Sequence, residues 1–192
     1  MNSDSYIKMF KDSGALLNGH FVLTSGRHSS SYFQCAKLLQ HPKYLELFSG
    51  SIANHFMSEQ IDFVISPAVG GIVLGTEIGR ILKKRTIFAE RKSGQMTLRR
   101  GFEIQAEEKG LIVEDVITTG GSVKEVMDLV ELNGGSIVGI GVIVDRSSGS
   151  VNLHSNQLSL ASLEVQSYDP NELPPQLASL PVEKPGSRSL AE

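Results

Sequence analysis

Fully apolar runs alternate with helix-period segments through the middle of the chain. Leu111, Ile112 and Val113 read as the end of a buried strand. Glu114, Asp115, Val116, Ile117, Thr118, Thr119, Gly120, Gly121 and Ser122 follow, and then the period changes. Val123, Val126, Met127 and Val130 recur at helical spacing, with Lys124, Glu125, Asp128 and Glu131 between them. The segment 111–131 therefore predicts a strand, a short loop and a helix. The same order occurs upstream: a buried strand over 61–66, a loop Pro67-Ala68-Val69-Gly70-Gly71, and a helix over 72–82. Gly75 and Gly79 lie about one turn apart, which lets that helix approach a sheet closely. A helix is predicted over 42–57, with Tyr44, Phe48, Ile52 and Phe56 at steps of four. Further strands are predicted over 86–90 and 137–144. Continuous apolar strands alternating with helices imply an α/β fold with a central, mostly parallel sheet flanked by helices.

The ends of the chain are more polar. Residues 3–11 predict a short amphipathic helix with Ser3 as N-cap and Ile7 and Phe10 inward. Asn18-Gly19 should break the chain, and short strands over 20–23 and 31–34 then flank a loop, 24–30, rich in hydroxyls. Leu163-Glu164-Val165 predicts a last edge strand. The remainder, with Pro170, Pro174, Pro175, Pro181 and Pro185, predicts an extended tail.

Length and composition narrow the class. A chain of 192 residues favours one domain, 1–192, and can bury roughly 70% of its unfolded surface. A net charge of −3 gives no reason to expect nucleic acid or an anionic membrane as partner. The apolar runs are too short to span a bilayer and the N-terminus lacks a signal-peptide core, so a cytoplasmic protein is expected. Cys35 is the single cysteine, so no intrachain disulfide can form, and a small buried apolar role suits it. The histidines His20, His28, His41, His55 and His154 show no metal-ligand spacing.

The chemistry concentrates at 114–122. Small residues, hydroxyls and free N–H groups at a helix N-terminus hold phosphate. Two carboxylates at a strand's carboxyl end, just before that cradle, suit a sugar phosphate. They accept hydrogen bonds from ribose hydroxyls, or hold Mg²⁺ through water.

This acid-acid, Thr-Thr-Gly-Gly-Ser wording resembles the signature of the type I phosphoribosyltransferases. Phe21-x-Leu23-x-Ser25-Gly26-Arg27-x-Ser29 and Tyr32-Phe33-Gln34 resemble, more narrowly, the hood of the orotate phosphoribosyltransferases. The resemblance covers about 15–170 and implies a type I phosphoribosyltransferase fold. It also implies a small N-terminal hood, about 1–40, and leaves a Pro-rich tail, about 168–192. It implies that Glu114, Asp115, Val116, Ile117, Thr118, Thr119, Gly120, Gly121 and Ser122 bind phosphoribosyl diphosphate, with Mg²⁺. Thr118 and Arg146 would bind orotate, Arg146 through its carboxylate. The Pro67–Gly71 loop would take the diphosphate. Asp115, Arg91 and Lys92 would be catalytic, the latter pair on a mobile loop that closes over the partner's site in a homodimer. The chain departs from the family at Thr24 and Gly70, where many members carry lysine, and in its tail, where relatives often carry a Cys-Pro-x-Cys pair. Arg91, Lys92, Arg99 and Arg100 also suit a solvated hairpin, and the roles of Arg99 and Arg100 stay open. A phosphoribosyltransferase for another base, or a non-catalytic sensor of phosphoribosyl diphosphate, remain as alternatives.

Overall fold

Strand β6, Lys109–Ile117, lies inside a six-stranded sheet in a computed structural model that describes residues 1–23, 26–163 and 166–185. Its neighbours are β3, Phe63–Pro67, on one side and β7, Ser136–Asp145, on the other. Beyond β3 come β4, Arg85–Lys92, and β5, Gln95–Leu98; beyond β7 comes β8, Gln157–Ser162. All pairings are parallel except β4 with β5. The α/β fold with a mostly parallel sheet is therefore as expected.

Both faces of the sheet are covered, and the period-two alternation shows it. Leu111 and Val113 of β6 join one core, with Phe48, Ile52, Leu74 and Ile78. Ile112 joins the other, with Val123, Val126 and Val130. The first core packs under α3, Pro42–Phe56, and α4, Gly71–Leu82; the second packs under α5, Gly121–Leu132. Missing side chains set how close α3 comes. A Cβ on Gly141 of β7 would stand 2.5 Å from Ile52 Cγ2, and one on Gly139 would strike the Phe56 ring. Gly79 of α4 likewise leaves no room for a Cβ beside Thr86, as the glycine spacing suggested.

A second, four-stranded sheet forms the hood. β1, Leu16–Val22, pairs antiparallel with β2, His28–Phe33. β1 starts earlier than expected because Asn18-Gly19 does not break it; the register slips between Asn18 and Phe21 instead. Both edges of this sheet come from the far end of the chain. β9, Ser167–Tyr168, pairs with β2, and β10, Val182–Glu183, pairs with β1. A short helix α6, Pro175–Ala178, precedes β10 and buries Leu177. The tail expected to be extended is thus partly folded onto the hood.

The expected N-cap of the first helix is corrected. Helix α1, Ser3–Asp12, is capped by the Asn2 side chain, which accepts from Ser5 N–H at 3.1 Å; Ser3 is already helical. Among the described residues the last strand of the large sheet is β8; of the edge strand expected at 163–165, Glu164 and Val165 lie outside the described residues, as do Thr24 and Ser25. Cys35, at the start of α2, Cys35–Leu39, is buried as expected. Among the described residues no helix is long and apolar enough to cross a membrane.

Gly141→Val should therefore overpack the contact between β7 and α3. A loss of about 1–3 kcal/mol is expected, read as a lower urea midpoint at unchanged slope.

Candidate active site

The chain reverses its path across the sheet between β3 and β6. From β3 it passes through α4 to β4 on one side, and from β6 through α5 to β7 on the other. Such a reversal leaves a crevice at the strands' carboxyl ends, where α/β proteins take ligands. The two strand-helix turns expected to bind phosphates face each other there.

Glu114 and Asp115 lie on β6 itself. Glu114 is 8% exposed, and its Oε1 accepts from the Asp115 N–H at 3.1 Å. Asp115 Oδ1 accepts from the Val116 N–H at 2.9 Å. No arginine, lysine or histidine among the described residues pairs with either carboxylate. Burial, with the charge of Asp115 adding to it, pushes Glu114 well above its usual 4.5. Burial also raises Asp115.

The α4 turn comes up against this pair. A Cβ on Gly70 would stand 2.5 Å from Asp115 Oδ2, and one on Gly71 would stand 3.2 Å from the Val113 carbonyl. Gly70 is in the right-handed helical region, so contact rather than backbone freedom demands glycine. A side chain there would displace the Asp115 carboxylate from its place in this structure.

The α5 turn supplies the cradle. Thr118 and Thr119 are exposed, and Gly120 turns with φ 75°. A Cβ on Gly120 would meet Val151 Cγ1 at 2.7 Å. No side chain caps α5, and its first internal bond runs from Lys124 N–H to the Gly120 carbonyl at 2.9 Å. The N–H groups of Gly121, Ser122 and Val123 therefore point out at the helix's positive end.

The hood covers the third side. The Arg146 N–H donates to the Ile117 carbonyl at 2.9 Å, which fixes Arg146 beside the cradle. Arg146 Nη2 donates to Ser29 Oγ of β2 at 3.3 Å. Its Nε is shut off from water and finds no partner among the described residues. Burial lowers the Arg146 pKa from its usual value. Tyr32 of β2 is raised by burial and then by the charge of Asp115. The thiol of Cys35 is pushed well up by burial and both acids, so it is no nucleophile.

Arg91 and Lys92 make no ion pair with Glu114 or Asp115 among the described residues. The basic segment forms the β4–β5 hairpin, turning at Ser93 and Gly94. Arg91 holds Glu125 of α5 in a bidentate pair at 2.6 and 2.7 Å. Arg99 and Arg100 both pair with Glu90. Lys92 is exposed and makes no ion pair among the described residues. Sequence reasoning had no signal for Glu125 or Glu90 as partners, since each lies on a different element from its arginine or across the hairpin.

The phosphoribosyl transferase domain model matches residues 34–171. The chain is 58% identical to orotate phosphoribosyltransferase of Chlorobium phaeobacteroides over 190 residues, 99% of this chain and 98% of that one. It is 57% identical to the same enzyme of Chlorobaculum parvum over the full length of both. The chain belongs to the orotate phosphoribosyltransferase family. A crystal structure of orotate phosphoribosyltransferase from Aeropyrum pernix superposes with a TM-score of 0.69 at 26% identity, covering 81% of this chain and 92% of that one. The type I phosphoribosyltransferase fold of this family is thus the architecture described above.

Among the described residues no cluster of three or more acidic, histidine or cysteine side chains could cage a metal ion. Two adjacent carboxylates without a cation fit Mg²⁺, which keeps several waters and takes its other oxygens from a substrate.

Glu114→Gln tests the strain in the acid pair. A raised carboxyl contributes stability fully present below the unfolded value and loses it as pH rises through the folded one. The ligand-free variant should match wild type near pH 4 and exceed it at neutral pH, by about 1 kcal/mol or more, roughly 2–4 °C in Tm. Scanning calorimetry across pH would read this; a variant less stable than wild type at neutral pH would refute it.

Proposed function

We infer that the protein transfers the 5-phosphoribosyl group of phosphoribosyl diphosphate to orotate, giving orotidine 5′-monophosphate and diphosphate in pyrimidine nucleotide biosynthesis. The observation that carries this reading is the Arg146 guanidinium. Its buried, unpartnered Nε sits across from an acid pair and next to a phosphate cradle. A planar carboxylate on the base would supply the missing acceptor.

The residues divide the substrates between them. Thr118, Thr119, Gly120, Gly121 and Ser122 hold the 5′-phosphate, with Val116 and Ile117 setting the turn. Glu114 and Asp115 hold the ribose hydroxyls. Gly70 and Gly71 bring the α4 N-terminus to the diphosphate. Thr118 and Arg146 orient orotate. Glu114 and Asp115 would hold Mg²⁺ through water, and the ion would neutralise charge on the diphosphate.

The bond from C1 to the diphosphate oxygen breaks, its electron pair leaves with diphosphate, and the base nitrogen bonds to C1 while its N–H proton passes to diphosphate or water. Positive charge develops on the ribose ring, and the buried Asp115 carboxylate faces it. Arg91 and Lys92 serve the site of a second copy in a homodimer and stabilise the departing diphosphate. Two features support that: the exposed, unpaired Lys92, and Val69 and Val73, exposed large apolar residues beside the diphosphate loop.

The purified protein with phosphoribosyl diphosphate and Mg²⁺ should consume orotate and release diphosphate, and should ignore uracil, hypoxanthine and adenine. Turnover of another base would contradict the assignment, and tight phosphoribosyl diphosphate binding without turnover would point to a sensor. Arg146→Ala should raise KM for orotate roughly 100-fold while phosphoribosyl diphosphate still binds. Asp115→Asn should cut kcat by about 10²–10³ with much smaller changes in KM; equal losses would remove Asp115 from the transition state.

A further inference from the structure

The C-terminal segment touches the hood at points that lead to Arg146. The Leu180 carbonyl, just before β10, lies 3.3 Å from Nδ1 of His20 on β1. His20 is 2% exposed, and its Nε2 lies 2.6 Å from His28 Nδ1 at the start of β2. A carbonyl only accepts, so His20 Nδ1 donates there, and Nε2 shares the second hydrogen bond with His28 Nδ1. The next residue is Ser29, fully buried. Its Oγ donates to the Ser31 carbonyl at 2.9 Å and accepts from Arg146 Nη2. A second contact runs in parallel: Gln34, just after β2, donates through Nε2 to the Pro185 carbonyl at 3.3 Å. Leu177 of α6, 5% exposed, anchors the segment.

We propose that residues 174–185 are a strap that sets the base-binding side of the site, with His20 and His28 as positioning residues for Arg146. The proposal rests on the orotate reading above. It has a selective consequence. The strap, β1 and β2 belong to the hood sheet, whereas the phosphate cradle, the acid pair and the α4 turn belong to the large sheet. Loosening the strap should therefore misplace the guanidinium and leave the phosphoribosyl diphosphate site intact.

The test uses full-length His20→Phe, which keeps a ring of similar shape without its hydrogen bonds, and Leu177→Ser, which undocks α6. KM for orotate should rise about tenfold in each, as a small misplacement of a positioning group does, while KM for phosphoribosyl diphosphate stays within about twofold. His20→Asn, which retains a donor near the Nδ1 position, should recover part of the loss. An unchanged KM for orotate in both, or equal rises in both KM values, would overturn the strap. Should His20→Phe fail to fold, Leu177→Ser decides alone. Failure of wild type to use orotate would instead strike the reading beneath it.

Discussion

Two carboxylates held side by side at the end of a buried strand are the costliest feature of this molecule, and much of the structure is arranged around them. Each accepts a backbone N–H, the two share a side-chain hydrogen bond that favours the proton on Glu114, and neither has a cation among the described residues. In a low-dielectric setting such a pair resists full ionisation, because each charge loses water and repels the other. The glycines of the neighbouring turn follow from this. Gly70 and Gly71 let a helix N-terminus, with its partial positive charge, come within contact of the acids where any side chain would collide. The pair is left short of positive charge and hydrogen-bond donors, which is what a polyhydroxyl sugar with its metal ion brings.

In the proposed function the two sheets divide recognition. The large sheet presents the acids, the phosphate cradle and the diphosphate turn at one edge, on rigid strands with fully buried neighbours. The hood sheet lies over the same edge and reaches it through Ser29 and Tyr32. Arg146 belongs to the large sheet by its backbone and to the hood by its side chain, so it is the hinge between the two functions. The Arg91–Glu125 pair does something similar on the other flank, tying the basic hairpin to the phosphate-binding helix. Its bidentate geometry makes it stronger than a typical half-exposed ion pair.

What could be read from the chain beforehand was whatever depends on local periodicity. The strand-loop-helix at 111–131, the helix with Phe48, Ile52 and Phe56, and the close-approach glycines of α4 all lie within one or two turns of their cause. The acid-Thr-Gly wording pointed to the candidate site because its chemistry is contiguous. What stayed hidden depends on distant partners. The Pro-rich tail looks extended because the hydrogen bonds that order it run to His20 and Gln34, some 150 residues away. The basic segment looks mobile because nothing in its own composition names Glu90 or Glu125 as its anions. Asn2 and Ser3 both carry side chains that suit an N-cap, and only the geometry distinguishes them.

The uncompensated acid pair can be tested by calorimetric titration of the ligand-free protein with phosphoribosyl diphosphate and Mg²⁺ near pH 6, in buffers of different ionisation enthalpy. If burial holds protons on the pair and the substrate removes them, wild type should release protons on binding, and Glu114→Gln should release fewer under the same conditions. Identical proton release from both proteins would mean that Glu114 is already fully ionised in the free protein, and would contradict the central claim.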